Sequence, residues 1–410
     1  MRTMRRAITK VRTILGLCAA FTLSACTFSD SLLNSDIRSL WAAPGNATAH
    51  PVVVFATDRE PDDSKFGFGL HWDAQTHCGV AELSIPSAFV AGAAPAWPGI
   101  DKRDDVVCGG RSEMASFAAA LAHQVDLRNC HAALMFVHGY NQTFRSALLR
   151  AGQIATDTQW PCASALMSWS SEGKFDRYAA DIERSGYAVP IMIELLRATS
   201  ASGISMSIIA HSMGARVTLS ALSALGGYCR TLGKPIVDEL ILAAPDISSE
   251  LYNDDFGHFL ERSVACVHRV TVYASAGDMV LIASESAHGG IPRAGREPMS
   301  DQTTYVSRAP GHVVDVVDAT LAPGDNIGHG YFVQSYEMMQ DMMWVLAGEP
   351  IEARATQTAQ HAPTVFCYAK GQPHCDGTAG TFALHVSPAR RPDWLLRAMR
   401  SLVPITSPFQ

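Results

Sequence analysis

No Gly-x-Gly-x-x-Gly follows an apolar run in this chain, no phosphate loop is present and no His-Glu-x-x-His occurs. Dinucleotide, P-loop and zincin chemistry therefore have no support in the sequence. Cys-x-x-Cys and His/Cys spacings of the kind that hold zinc are also missing. No metal and no cofactor is expected. Charge is sparse, at 17% of the 410 residues with a net value of −7, and no basic stripe follows the first dozen residues, which argues against nucleic acid as a partner. What the chain has in quantity is apolar surface: 48% of its residues are hydrophobic, enough for a large core in one domain or several.

The amino terminus reads separately from the rest. Arg2, Arg5, Arg6, Lys10 and Arg12 precede Thr13–Ala25, an apolar segment too short for a comfortable membrane span. It ends in Leu23-Ser-Ala-Cys26, similar to a bacterial lipobox. That likeness implies a signal peptide over residues 1–25, cleavage before Cys26 and a lipid on its thiol. The expected location is the periplasm-facing cell envelope. Thr27 in place of Asp favours the outer membrane. A plain secretory signal and a secreted soluble protein form the alternative. Residues 26–50 read as a tether, 51–347 as the main domain and 348–410 as an irregular carboxy-terminal extension.

Ten cysteines fit an exported protein. Beyond Cys18 and Cys26 there are eight, an even set suited to an oxidising compartment. Cys130, Cys162, Cys229 and Cys266 each precede an expected strand, so in a parallel sheet they fall on one edge. This favours the pairs 130–162 and 229–266, with Cys78–Cys108 and Cys367–Cys375 paired by proximity. Each bridge would stabilise by roughly 2–4 kcal/mol. Free buried thiols are the alternative.

Eight apolar runs read as strands: Val52–Ala56, Val80–Ile85, Ala132–Val137, Ala165–Trp169, Ser205–Ala210, Glu239–Ala243, Val270–Ala274 and Val313–Val317. The later runs are apolar on both faces, as in a sheet covered by helices on both sides. Phe144, Ala147, Leu148, Ala151, Ile154 and Ala155 mark one helical face between strands. Val217, Ala221, Leu222, Ala224 and Leu225 mark another. Tyr331, Met338, Met342 and Val345 mark a third, with the methionines as core filler. This alternation predicts an α/β architecture with a mostly parallel, eight-stranded sheet. Ser284–Gly311 is a long polar, Gly- and Pro-bearing loop of the kind that covers functional sites. Near the end, Trp394, Leu395, Leu396, Met399 and Leu402 suggest a short amphipathic helix.

The chemistry centres on Ile204–Gly214, reading ISMSIIAHSMG. An apolar strand breaks at Ala210-His211-Ser212-Met213-Gly214 and a helix-compatible run follows, the context of a nucleophile elbow. Ala210 and Gly214 supply the small residues that a crowded turn needs. A helix amino terminus at the serine favours developing negative charge. A serine hydroxyl needs a base, and the base needs an orienting group. In the order serine, acid, histidine, Asp278 after the seventh strand and His329 within Gly328-His-Gly330 complete the set. Asp246, in Ala243-Ala-Pro-Asp246, ends a strand on the same edge and is the alternative acid. His288 and His312 compete with His329. His138-Gly139-Tyr140-Asn141 closes the third strand. There the amides of Tyr140 and Met213 would form an oxyanion hole, Gly139 would admit substrate, and His138 and His211 would be structural. Asn141 reads as a helix cap or a substrate contact.

Several motifs together, Val54-Phe-Ala-Thr-Asp-Arg59, Ala81–Pro86, Phe136–Phe144, Ser168-Trp-Ser170, Ala210–Arg216, Leu242–Asp246 and Gly328–Phe332, make residues 51–347 resemble an uncharacterised bacterial α/β-hydrolase family of esterase- or lipase-like character. The resemblance implies the α/β-hydrolase fold and serine chemistry on a small-molecule or lipid acyl substrate, without naming that substrate. Hydrolysis of an ester, thioester or amide is the leading expectation. An acyltransferase on the same triad and a non-catalytic envelope binding lipoprotein are the alternatives.

Overall fold

The computed structural model describes residues 48–62, 67–86, 99–108, 114–249, 262–296, 313–320, 322, 327–349, 365–369, 372–373 and 381–384. The lipobox at Cys26, His312, Cys375 and the helix expected near Trp394 lie outside the described residues, so the pair Cys367–Cys375 does too.

All eight expected strands are present, and among the described residues five more join them. In chain order they are β1 Thr48–Ala49, β2 Val52–Pro61, β3 Phe68–Pro86, β4 Gly99–Val107, β5 Ala132–Val137, β6 Ala163–Ser168, β7 Ser205–His211, β8 Val237–Ala243, β9 Val267–Ala274, β10 Val313–Asp318, β11 Val365–Ala369, β12 Gln372–Pro373 and β13 Thr381–Leu384. They form one sheet in the order β1-β3-β2-β6-β5-β7-β8-β9-β10-β13-β11-β12, with β4 on β3. From β2 to β10 the neighbours are parallel. The long β3 is antiparallel to β2, β1 and β4. This is an α/β fold with a mostly parallel sheet between helices.

The central strands are buried on both faces, and their period of two divides the core. Val54, Met135, Val137, Ile208 and Ala210 enter one cluster with Phe117, Ile191, Leu195, Val217, Leu222 and Leu225. These helical partners come from Ala115–Leu127, Tyr178–Ala201 and the elbow helix Met213–Leu232. Val53, Phe55, Leu134, Phe136 and Ile209 face the other side, with Leu148 and Ile154 of helix Phe144–Asp157 and Met338, Met342 and Val345 of helix Tyr336–Leu346. Alternation along each strand thus supplies both layers of contacts.

Four details depart from the sequence reading. Asn141 does not cap the helix after β5. The cap is Thr143, whose hydroxyl accepts from the Ser146 amide while Ser146 Oγ accepts from the Thr143 amide. The methionine-striped helix is two pieces, Tyr331–Gln334 and Tyr336–Leu346, with Ser335 between them accepting from the Met338 amide. Ser284–Ala287, expected as loop, ends helix Met279–Ala287, because Met279, Leu281 and Ser284 give it a face to bury. Cys229 lies within the elbow helix rather than just before β8. That helix runs back against the strands, so Cys229 still reaches Cys266 on the amino-terminal edge.

Three of the expected cysteine pairs are joined: Cys78–Cys108, Cys130–Cys162 and Cys229–Cys266, with Cα separations of 5.3, 5.9 and 5.1 Å. The first ties β3 to the end of β4. The other two tie chain segments on the edge opposite the carboxyl ends of the parallel strands.

Candidate active site

The register levels the carboxyl ends of the parallel strands: Val137 pairs with Ala210, His211 with Ala243, and Ala243 with Tyr273. The segments that follow β5, β7, β8 and β9 therefore meet on one edge. His138, Ser212, Asp246 and Asp278 all begin there.

Ser212 follows β7 with φ 53° and ψ −121°, a left-handed conformation that costs a non-glycine residue about 1–3 kcal/mol. The surroundings hold it in place. Its amide donates to Ala243 O at 2.9 Å, and its carbonyl accepts from the amides of Ala215 and Asp246 at 3.0 and 3.1 Å. A Cβ at Gly214 would stand 2.5 Å from the carbonyl oxygens of both Val137 and His138, and one at Gly139 would stand 2.7 Å from Ser212 Cβ. Both glycines are thus required by close approach: the elbow helix abuts the end of β5, and the loop after β5 lies on the serine. Ala210 is fully buried in the strand before the turn, where its methyl group fits the core. Ser212 Oγ is buried and has no hydrogen-bond partner among the described residues.

Asp278 and His329 come together. His329 Nδ1 lies 2.7 Å from Asp278 Oδ2. The other oxygen of this fully buried carboxylate accepts from the Leu281 amide at 3.0 Å, so Asp278 caps helix Met279–Ala287 as well. The Met279 amide donates to Ile327 O at 2.9 Å, tying the histidine-bearing loop to that helix start. The His329 ring stands 4.6 Å from His211, which stacks on Phe332 at 4.4 Å. Burial, and then the neighbouring His329, hold the His211 imidazole well below its usual value, so it is neutral at working pH.

Asp246 is engaged elsewhere. Its side chain is 1% exposed and faces Arg293, 3% exposed, at 2.9 Å. It also accepts from Tyr178 OH and Ser284 Oγ, each at 2.6 Å. His288 directs Nδ1 to Ser284 O at 2.8 Å and sets its ring edge-on to Tyr178. Around this cluster, backbone bonds from Ser249 to Pro292, Ala294 to Ile247, Gly295 to Pro245 and Ser275 to Gly295 hold residues 288–296 against the segments after β8 and β9. The first part of the long loop is therefore a fixed wall of the edge. Arg293, Tyr178 and Ser284 carried no signal in the sequence, since each acquires its meaning only by facing Asp246.

The loop after β5 is equally constrained. His138 is buried and stacked on Trp169 at 5.1 Å, with Nδ1 2.8 Å from Gly139 O, while Trp169 Nε1 donates to His138 O at 2.8 Å. Burial, with some help from Arg59, pushes the His138 imidazole down to about 3. Tyr140 sets its ring edge-on to Tyr178 at 5.2 Å, and its hydroxyl, raised by burial, donates to Lys174 O at 3.3 Å. Asn141 has φ 59°. Met213 is the first residue of the elbow helix, and first-turn amides have no intrahelical acceptor. No group of three or more His, Cys, Asp or Glu side chains able to hold a metal occurs among the described residues.

A mostly parallel sheet between helix layers, with a serine on a strained strand-to-helix turn at its carboxyl edge and an Asp–His pair beside it, defines an α/β-hydrolase fold. The comparison with protein families agrees: residues 113–345 match the model of a family described as alpha/beta hydrolase of unknown function (DUF900). The chain belongs to that family. No curated protein matches it.

Proposed function

We propose that this protein is a serine hydrolase that cleaves carboxylic esters, or the chemically related thioesters and amides, through an acyl-enzyme. Ser212 is the nucleophile, His329 the general base and acid, and Asp278 the orienting acid. The observation that carries this reading is the 2.7 Å contact of His329 Nδ1 with a fully buried Asp278 carboxylate. Such a contact places the proton on Nδ1 and makes Nε2 the basic nitrogen.

In this mechanism Ser212 Oγ attacks the substrate carbonyl carbon as His329 Nε2 takes the hydroxyl proton. The carbonyl oxygen becomes an oxyanion that the amides of Tyr140 and Met213 receive, and each such donor is worth ~3–4 kcal/mol in the transition state. The intermediate collapses, and His329 delivers its proton to the leaving oxygen, sulfur or nitrogen. Water repeats the sequence on the acyl-enzyme and releases the acid. Asp278 stabilises the imidazolium throughout, and the buried, neutral His211 packs beside it without adding a second positive charge. The membership in a hydrolase family and the elbow geometry support the same assignment.

The test is labelling by a fluorophosphonate, wild type beside Ser212→Ala. Covalent labelling of wild type and none of the folded variant is expected. A folded wild type that takes no label would overturn the proposal.

A further inference from the structure

We infer that Asp181 is a positioning residue for the oxyanion loop: through Ser171 it holds the backbone of Asn141 and Gln142, and thereby sets where the Tyr140 amide points. The inference rests on the hydrolase reading above, and it concerns a residue that no motif marked.

Asp181 lies in the first turn of helix Tyr178–Ala201 and is fully buried. Its carboxylate meets only donors among its described contacts. Oδ1 accepts from the Glu172 amide at 2.8 Å; Oδ2 accepts from Ser171 Oγ at 2.5 Å and from the Asn141 amide at 3.4 Å. Ser171 has one hydroxyl hydrogen, and an acceptor-only carboxylate takes it. Its oxygen lone pairs then receive the Gln142 amide, at 3.1 Å. The direction of this relay is fixed by chemistry: Gln142 N–H to Ser171, Ser171 O–H to Asp181. From the other side the buried Arg59 donates to Gln142 O at 2.8 Å and to Ser171 O at 2.9 Å. The peptide groups on both sides of Gln142 are thus clamped, and Asn141 is held at its positive φ.

The clamp acts on the loop that touches the nucleophile. Gly139 and Ser212 are so close that a Cβ on the glycine would stand 2.7 Å from Ser212 Cβ. One residue separates Gly139 from Asn141, and the Tyr140 amide lies between these two fixed points. An oxyanion donor must sit within a few tenths of an ångström of its place, and displacement of about 1 Å can cost about 100-fold in rate. A carboxylate is needed for this role. An amide at 181 would turn an NH2 group toward Glu172 N–H or toward Asn141 N–H, so one backbone donor would lose its acceptor.

The experiment is the rate of fluorophosphonate labelling at Ser212, measured per labelled site, in wild type, Asp181→Asn and Ser171→Ala. The phosphonyl oxygen occupies the oxyanion position, so no natural substrate is required. Intact-protein mass spectrometry at completion gives the fraction of competent sites. The expected result is complete labelling of Asp181→Asn at a maximal rate about 10- to 100-fold lower, with half-saturating probe concentration unchanged. Ser171→Ala loses both relay bonds, of which only the one from the Gln142 amide holds the loop backbone directly, and should slow about fivefold. Wild-type rates in the variants would overturn the inference alone. So would a reduced competent fraction reacting at the wild-type rate, which is the signature of a merely structural role. If Asp181→Asn does not fold, Ser171→Ala decides by the same criteria. A wild type that takes no label would overturn the hydrolase reading, and this inference with it.

Discussion

Two aspartates end neighbouring strands on the same edge, and exchanging each for asparagine should separate stability from activity. At Asp246 the side chain is 1% exposed and pairs with an Arg293 that is 3% exposed, while Tyr178 and Ser284 donate to it at 2.6 Å. Asparagine keeps the shape and removes the charge. The guanidinium is left buried without its counter-ion, which costs about 3–5 kcal/mol. For a domain of this size that is a fall of roughly 6–20 °C in Tm. The Asp246 amide still donates to Ser212 O at 3.1 Å, so surviving folded molecules should still take label. Asp278→Asn behaves oppositely. Asparagine caps a helix as well as aspartate does, so the bond to the Leu281 amide persists and Tm changes little. The imidazole loses the anion that selects its tautomer and stabilises its charged form, and the labelling rate should fall about 1,000- to 10,000-fold. Thermal melts and fluorophosphonate kinetics on the same preparations read both effects. An unchanged Tm with lost labelling in Asp246→Asn, together with full labelling in Asp278→Asn, would refute the assignment and make Asp246 the acid.

Two further outcomes follow from single contacts. Gly139→Ala places a methyl group 2.7 Å from Ser212 Cβ, so labelling should be abolished in a protein whose circular dichroism is that of wild type; normal labelling would mean the loop is not held against the serine. The second concerns pH. Burial, opposed only in part by Arg59, pushes the Asp58 carboxyl up to about 7. The folded state then binds a proton that the unfolded chain has released, and stability falls as pH rises from about 4 to about 7, by up to about 4 kcal/mol. Asp58→Asn should therefore gain Tm over wild type progressively across that window and hold the gain above it. A difference that does not vary with pH would refute this. His138, pushed down to about 3, acts in the other direction: its contribution is full above about 6.5 and is lost as pH falls from there. Acid unfolding of both proteins should share that limb.

Local pattern determined much of this protein. The eight strands, the helix behind Ser212 and the apolar stripe of Phe144–Ala155 follow from hydrophobic period, which is set by the backbone geometry of each element alone. The requirement for Gly214 was legible because a tight strand-to-helix turn crowds its neighbours in any such fold. Other elements were not legible. Strand β4, Gly99–Val107, reads GIDKRDDVV and is a strand only because β3 offers it an edge, with His77 opposite Val107. Helix Tyr178–Ala201 contains Pro190 and is held by packing rather than by propensity. Most of the site's finer logic is of this second kind. Asp246 and Asp278 are alike in sequence, each an aspartate just past a strand. The difference between them is that Arg293 folds back onto one and His329 onto the other. Asp181 looks like any acidic residue in a helix's first turn, and becomes the anchor of the loop beside Ser212 only when Ser171, from the loop after β6, and Asn141, from the loop after β5, meet on it. The chain's local physics specified the elements and the turn that carries the serine. Which buried charge faces which partner was decided by the tertiary structure, because the free energy of a buried charge depends on neighbours that come from anywhere in the chain.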